Sequence, residues 1–258
     1  MDRLPHFLLP SVTGSRALNT PPRVATPRLG TAENHLIELL PRKDRGRLLA
    51  ISEPVEFVFA EVLCEPGQSM RHVYFPIDGF VSLVTQLDAH PGLEVGMVGR
   101  EGMLGSHVAL GIPTSPLRAI VQGPGAAWRV DANAFTHELT NCQALQRRVN
   151  RYLFMRMTQL AAAAACLHYH LIGPRLARWL LMSHDRAHAD DFRITHEFLA
   201  YMLGVRREGV TTAAVALQRA GLIDYHRGEL KILDRKGLEG AACSCYAADQ
   251  VAYAALMS

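Results

Sequence analysis

At 258 residues, with 49% apolar and 20% charged residues, the chain is long enough for two domains that each bury a core. A formal net charge of +3 neither demands nor excludes a polyanionic partner, and five cysteines, odd in number and irregularly spaced, argue against a secreted disulfide framework. No run reaches the about 18 apolar residues of a membrane span and no apolar stretch with a cleavage site opens the chain, so a cytoplasmic protein with reduced thiols and no membrane partner is expected.

Residues 1–32 carry Pro5, Pro10, Pro21, Pro22 and Pro27 among small polar residues without periodicity, the composition of a flexible tail. Leu36, Ile37, Leu39 and Leu40, then Leu48 and Leu49, flank Pro41 and predict two short helices. From Val55 to Val130 the apolar pattern alternates, as in Val55/Phe57/Phe59, Val73/Phe75 and Trp128/Val130. Turn pairs such as Pro66-Gly67, Asp78-Gly79, Pro91-Gly92 and Glu101-Gly102 punctuate it at roughly eight- to twelve-residue spacing. An antiparallel roll or sandwich over residues 33–142 is expected, with a small-molecule site at its mouth.

Helical periodicity returns from Gln143 to Leu171. Leu153, Met157, Leu160, Ala164, Leu167 and Leu171 step alternately by four and three, a heptad seam, and the small run Ala161 to Ala165 lets a second helix approach. A helix over 143–171 is about 44 Å long, more than a small β domain needs for cover, so a homodimer contact is expected. Gly173-Pro174 should end this helix and open a hinge into the next, from Arg175 to Ala187.

Residues 172–240 hold the most specific pattern. Thr195 stands as an N-cap with Glu197 in the first turn, followed by Phe198, Leu199, Met202 and Leu203 at helical spacing. Ala200, Gly204 and Val210 meet the three steric demands of a helix-turn-helix: a small residue at the crossing, tolerance of positive φ at the turn, and an apolar lock on the second helix. That helix, about Arg206 to Ala220, buries Val210, Ala214 and Leu217 and leaves Arg206, Arg207, Glu208, Thr211 and Thr212 outward, toward DNA. Alternation over Leu222–Tyr225 and Glu229–Leu233 about the turn His226-Arg227-Gly228 predicts a two-stranded wing, with Arg227 placed for phosphate. Between Gly204 and Lys236 seven basic residues face four acidic ones, so this window carries an excess equal to the whole chain's +3.

The helix, Gly turn, basic helix and wing resemble the DNA-binding domain of the Crp/Fnr family of bacterial transcription regulators. In that family a run of the type R-E-x-V-x-R follows the turn, and here it reads Arg207-Glu208-Gly209-Val210-Thr211-Thr212, with Thr212 where a second base-reading Arg is often found. The order of β-roll, long helix and winged domain is similar over residues 34–240. The resemblance implies an α+β fold with an N-terminal antiparallel, cyclic-nucleotide-binding-like β-roll, a long dimerisation helix, and a C-terminal winged helix-turn-helix followed by an extension over 241–258. It implies double-stranded DNA, a second copy of the chain, RNA polymerase and a small-molecule effector as partners. The family's ribose and cyclic-phosphate motif maps to Gly102-Met103-Leu104-Gly105-Ser106 and Leu117-Arg118. Gly105, Ser106 and Arg118 are therefore the effector-site candidates, although Ser106 replaces the ribose-binding carboxylate and makes cyclic AMP a poor fit.

No catalytic constellation is legible: His72, His90 and His107 are scattered, and no Gly-rich phosphate loop precedes a helix. Cys166, His168 and His170 cluster in one dimension, but His168 and His170 diverge on a helix, and Cys243-Ser244-Cys245 reads as an incidental thiol pair, so neither metal nor other cofactor is expected. The other reading of the same pattern is a sensor or protein-interaction module whose winged domain docks a protein instead of DNA.

Overall fold

The computed structural model describes residues 33–86 and 92–257; the proline-rich stretch 1–32, His90 and the Pro91 turn lie outside the described residues. The fold begins at Asn34, whose side-chain oxygen accepts from the backbone N–H groups of Leu36 and Ile37 and caps α1 (His35–Glu38). The amide nitrogen of Asn34 donates to the carbonyls of Pro76 and Gly102 at 2.8 and 2.9 Å, so this buried side chain is satisfied at both ends and pins α1 to the roll. Pro41 then starts α2 (Arg42–Ala50), as the sequence predicts.

Seven strands follow: β1 (Ser52–Phe57), β2 (Val62–Cys64), β3 (His72–Pro76), β4 (Phe80–Thr85), β5 (Leu93–Val98), β6 (Arg118–Gly123) and β7 (Gly125–Asp131). They form two antiparallel sheets, ordered β1-β7-β3 and β2-β6-β4-β5. Phe57, Val73, Phe75 and Val130 fill the space between them together with Phe135 of α3 (Ala132–Asn141) and Tyr152 of α4 (Gln143–Tyr169). Strands β4 and β6 are buried on both faces. Val81, Ala119 and Val121 join the roll core, whereas Phe80, Val84 and Ile120 belong to a second core outside it. Double burial explains why β4 lacks an alternating polar face.

The 27 residues of α4 span about 40 Å. One face enters the roll through Leu145, Val149, Tyr152 and Met155, and the Tyr152 hydroxyl donates to the Met103 carbonyl at 3.0 Å. The helix stops at Tyr169, two residues before the expected end. His170 and Leu171 are extended, and Leu171 caps the next helix instead of closing the seam. Gly173 and Pro174 are not the break: both lie in the first turn of α5 (Ile172–Ala187), where a missing proline N–H costs nothing because that donor has no helical acceptor.

The winged domain continues with β8 (Asp191–Arg193), α6 (His196–Leu203), α7 (Arg207–Arg219), β9 (Ile223–His226), β10 (Glu229–Ile232) and α8 (Arg235–Ala241). Its sheet has three strands, ordered β8-β10-β9, one more than the sequence pattern predicts. Its core of Leu176, Leu180, Leu199, Val210, Leu217 and Leu230 is continuous with Phe80, Val84, Met97 and Ile120, so the domain sits on the outer face of the β4/β6 sheet. The C-terminal extension forms α9 (Cys245–Met257), which runs back along α4. Its start meets His170 at the end of α4, and Tyr253 bonds to His35 and to the Glu101 carbonyl. Among the described residues no helix is long and apolar enough to cross a membrane.

Candidate nucleic-acid interface

Local chemistry sets the angle between α6 and α7. Thr195 Oγ1 accepts from the Phe198 N–H at 3.1 Å and starts α6; Gly204 ends it at φ +62°, a conformation open to glycine and strained for side-chain-bearing residues. The Val205 N–H returns to the Ala200 carbonyl at 3.0 Å, closing the turn over the small residue. Val210 is fully buried, and Gly209 packs against the Ile172 side chain at the start of α5, whose Cδ1 would lie 2.6 Å from a Cβ there. Each residue singled out for the turn thus has a steric duty.

This packing leaves the other side of α7 to solvent. Arg206 is the N-cap, and Arg207, Glu208, Thr211 and Thr212 are exposed on the first two turns. The two threonine hydroxyls fold back: Oγ1 of Thr211 donates to the Arg207 carbonyl at 3.1 Å and Oγ1 of Thr212 to the Glu208 carbonyl at 3.0 Å. They therefore offer methyl groups more readily than hydroxyls to a partner. The free polar reach of the helix lies with Arg206, Arg207 and Glu208, at the positive end of its dipole.

Two further side chains at this surface were not legible in the sequence. His196 stacks on Tyr225, with ring centroids 4.4 Å apart and planes 12° from parallel, and its Nδ1 lies 3.0 Å from Thr211 Oγ1. Burial, and then the neighbouring Arg207, lower the imidazole pKa below its ordinary value. The Tyr225 hydroxyl donates to the Ile194 carbonyl at 2.8 Å. This stack ties the wing to the start of α6 and so fixes the wing turn relative to α7. In that turn Arg227 has φ 51° and Gly228 φ 86°, two consecutive left-handed residues as a tight two-residue hairpin requires. An arginine held left-handed costs roughly 1–2 kcal/mol, and the side chain that bears this cost is exposed.

The effector candidates are placed differently. Gly105 sits at φ +87° before a 3-10 turn over Ser106–Leu110, with no room for a side chain because Met70 Sδ would lie 2.7 Å from its Cβ. Ser106 opens that turn, and Arg118 starts β6 and pairs with Glu65 at 3.1 Å. An anion bound at Arg118 would have to displace Glu65.

Two polar links join the winged domain to the roll. Trp179 Nε1 donates to Glu94 at 3.1 Å, whose other oxygen accepts from Ser82 at 2.6 Å. Arg186 pairs with Glu101 at 2.7 Å. Burial pushes the Glu101 carboxyl up, but Arg186 and the Gly99 N–H outweigh it and leave the group below the ordinary carboxylate value. The helix turn itself meets β5, since a Cβ on Gly204 would lie 2.7 Å from Leu93 Cδ1.

The chain thus combines a β-roll with a winged helix-turn-helix domain whose basic helix α7 turns outward. Residues 174–241 match the model of the Crp-like helix-turn-helix domain, and the chain has the Crp/Fnr regulator fold. A Crp/Fnr-family transcriptional regulator from Eubacterium rectale is similar at 16% identity and a TM-score of 0.64, covering 80% of this chain and 96% of its own. The c-di-GMP-responsive regulator CLP of Xanthomonas campestris is similar at 17% identity and a TM-score of 0.62, covering 75% of this chain and 100% of its own. TTHB099, a CRP-family regulator from Thermus thermophilus, reaches 24% identity and a TM-score of 0.61, covering 74% and 99%. No curated protein matches the chain in sequence.

Proposed function

We propose that the protein is a cytoplasmic homodimer that places α7 of each copy in successive major grooves of a two-fold symmetric DNA site. The observation that carries this is the outward face of α7, where Arg207 and Glu208 stand exposed side by side while the opposite face is locked by Val210 and Gly209. An arginine can give two parallel hydrogen bonds to guanine O6 and N7, and a glutamate can accept from the cytosine amino group. Arg206 and Arg227 flank them at the helix cap and the wing turn, where they suit phosphate.

In this reading the signal enters at the β-roll, near Gly105, Ser106 and Arg118, and reaches α7 through the sheet on which the winged domain sits. Glu94 and Glu101 are the roll's polar grips on α5, and Leu93 is its contact with the turn before α7. An effector that moves β5 changes where α7 points. Selection of bound fragments from random double-stranded DNA by the purified chain tests the proposal. A symmetric site with half-sites about one helical turn apart is expected; no enrichment over input sequences would refute DNA reading and favour a protein partner for the winged domain.

A further inference from the structure

Four ligand-type side chains, far apart in sequence, converge where α4 ends. Cys166 lies in the last turn of α4 and His170 is the extended residue that caps it, while Cys243 and Cys245 precede and open α9. The Cys166 and Cys243 sulfurs are 3.6 Å apart, Cys245 Sγ is 3.6 Å from His170 Nδ1, and all four ligand atoms lie within 4.8 Å of one another. We propose that Cys166, His170, Cys243 and Cys245 bind one zinc ion as a Cys3His structural site that staples the end of the winged domain to the α4–α5 hinge.

The spacing selects the ligand. A tetrahedral ion with Zn–S near 2.3 Å and Zn–N near 2.0 Å sets its sulfurs about 3.8 Å apart and sulfur and nitrogen about 3.5 Å apart. Both close pairs in this cluster are near those values. A disulfide needs about 2.05 Å between sulfurs and joins two residues only, leaving His170 and Cys245 unexplained. An iron-sulfur cluster puts several atoms among its cysteine ligands and demands a wider cage.

The surroundings suit a thiolate-rich centre. Three thiolates and one zinc carry a net charge of −1, and Arg178 Nη1 lies 3.8 Å from Cys166 Sγ while the same guanidinium pairs with Asp249 of α9 at 2.7 Å. Cys166 and Cys243 are buried, so the ion would be shielded from water on that side. Binding would release the three thiol protons to solvent.

The position gives the site a consequence. His170 is the first of two extended residues between α4 and α5, and the Cys243 N–H donates to the Pro174 carbonyl at 3.2 Å, in the first turn of α5. The staple therefore clamps both sides of the hinge and anchors the start of α9.

The full-length chain, purified under reducing conditions with zinc in the growth medium and dialysed against a weak chelator, should retain one zinc per chain by elemental mass spectrometry. Replacement by cobalt should give the intense visible and sulfur-to-metal charge-transfer bands of a tetrahedral thiolate site; this readout uses the unmodified protein and does not depend on any variant folding. Cys243→Ser and His170→Ala should each lower zinc affinity at least about tenfold, while Cys64→Ser, at a buried cysteine outside the cluster, should keep full loading. The assignment is overturned if the reduced chain holds no more zinc than Cys243→Ser, if its cobalt form lacks thiolate bands, if iron with labile sulfide is found, or if a Cys166–Cys243 disulfide is recovered from freshly lysed cells. These readouts are independent of DNA binding, so failure of the operator selection leaves the metal result standing.

Discussion

The Glu94 carboxylate on β5 is held between Ser82 Oγ at 2.6 Å and Trp179 Nε1 at 3.1 Å, so one acidic group of the roll grips the first helix of the winged domain. Burial raises its pKa to about 7, against the weaker opposing effects of Ser82, Arg186 and Trp179. A carboxyl whose folded value lies above its unfolded value keeps its proton in the folded state over that interval. Stability should then be highest below about pH 4.5, fall as pH rises through 7, and level off above it. The residue is only half-buried as a whole, which trims the effect to about 1–3 kcal/mol. Urea midpoints measured from pH 5 to 8 should show this decline, and Glu94→Gln, which keeps an acceptor for Trp179 but cannot titrate, should flatten it. An equal slope in the variant would assign the titration elsewhere.

Base reading by Arg207 is the second expectation. Arg207→Ala should cost on the order of 1–3 kcal/mol at the selected site and relax preference at one base pair. Its loss also removes a cation that lowers the His196 pKa, so the imidazole should titrate at higher pH in the variant, visible by NMR in the free protein. Equal weakening on cognate and random DNA would demote Arg207 to a phosphate contact.

At the wing, the left-handed Arg227 sets stability against binding. Asparagine accepts positive φ more readily than arginine and carries no charge. Arg227→Asn should therefore hold or raise the urea midpoint while weakening all DNA sequences alike and lowering the salt slope by about 1. An unchanged slope would take the wing out of the interface.

The helix-turn-helix was legible because its demands are local: Ala200, Gly204 and Val210 each answer a steric need within a few residues. The roll was legible as alternation. Its double-faced strands β4 and β6 were not, because their burial depends on where the winged domain sits. Strand β8, Asp191–Arg193, has three residues and no pattern of its own, and it exists through pairing with β10. The thiol cluster escaped for a similar reason. His168 lies in the last turn of α4 and His170 just past its end, and the side chains nearest Cys166 and His170 are Cys243 and Cys245, brought from more than seventy residues away by α9.

The last expectation concerns α4. With α9 on one side and the roll on another, Met157, Leu160 and Leu167 remain 66%, 43% and 40% exposed, on the stripe predicted from the heptad spacing. Ala164 is exposed between them, leaving room for a close helix approach. Phe154, at 57% exposed, adds to this face, whereas Leu171 lies beyond the helix end as the N-cap of α5 and is not part of the stripe. An apolar stripe of this length on a single chain is what a second copy would cover. Two recognition helices about 34 Å apart need such a scaffold, because one helix-turn-helix reads too few base pairs for useful selectivity. Leu160 is central, and glutamate there would place two like charges in an apolar contact, at a cost of several kcal/mol to the dimer. Within one chain the site is open to water, so the fold itself should tolerate the change. Leu160→Glu should therefore sediment as a monomer with an unaltered far-ultraviolet circular dichroism spectrum and should lose tight binding to a symmetric site while keeping weak binding to a half-site. If the unmodified chain is monomeric at micromolar concentration, or the variant stays dimeric, the stripe on α4 is not the dimer contact and the spacing of the two α7 helices must come from elsewhere.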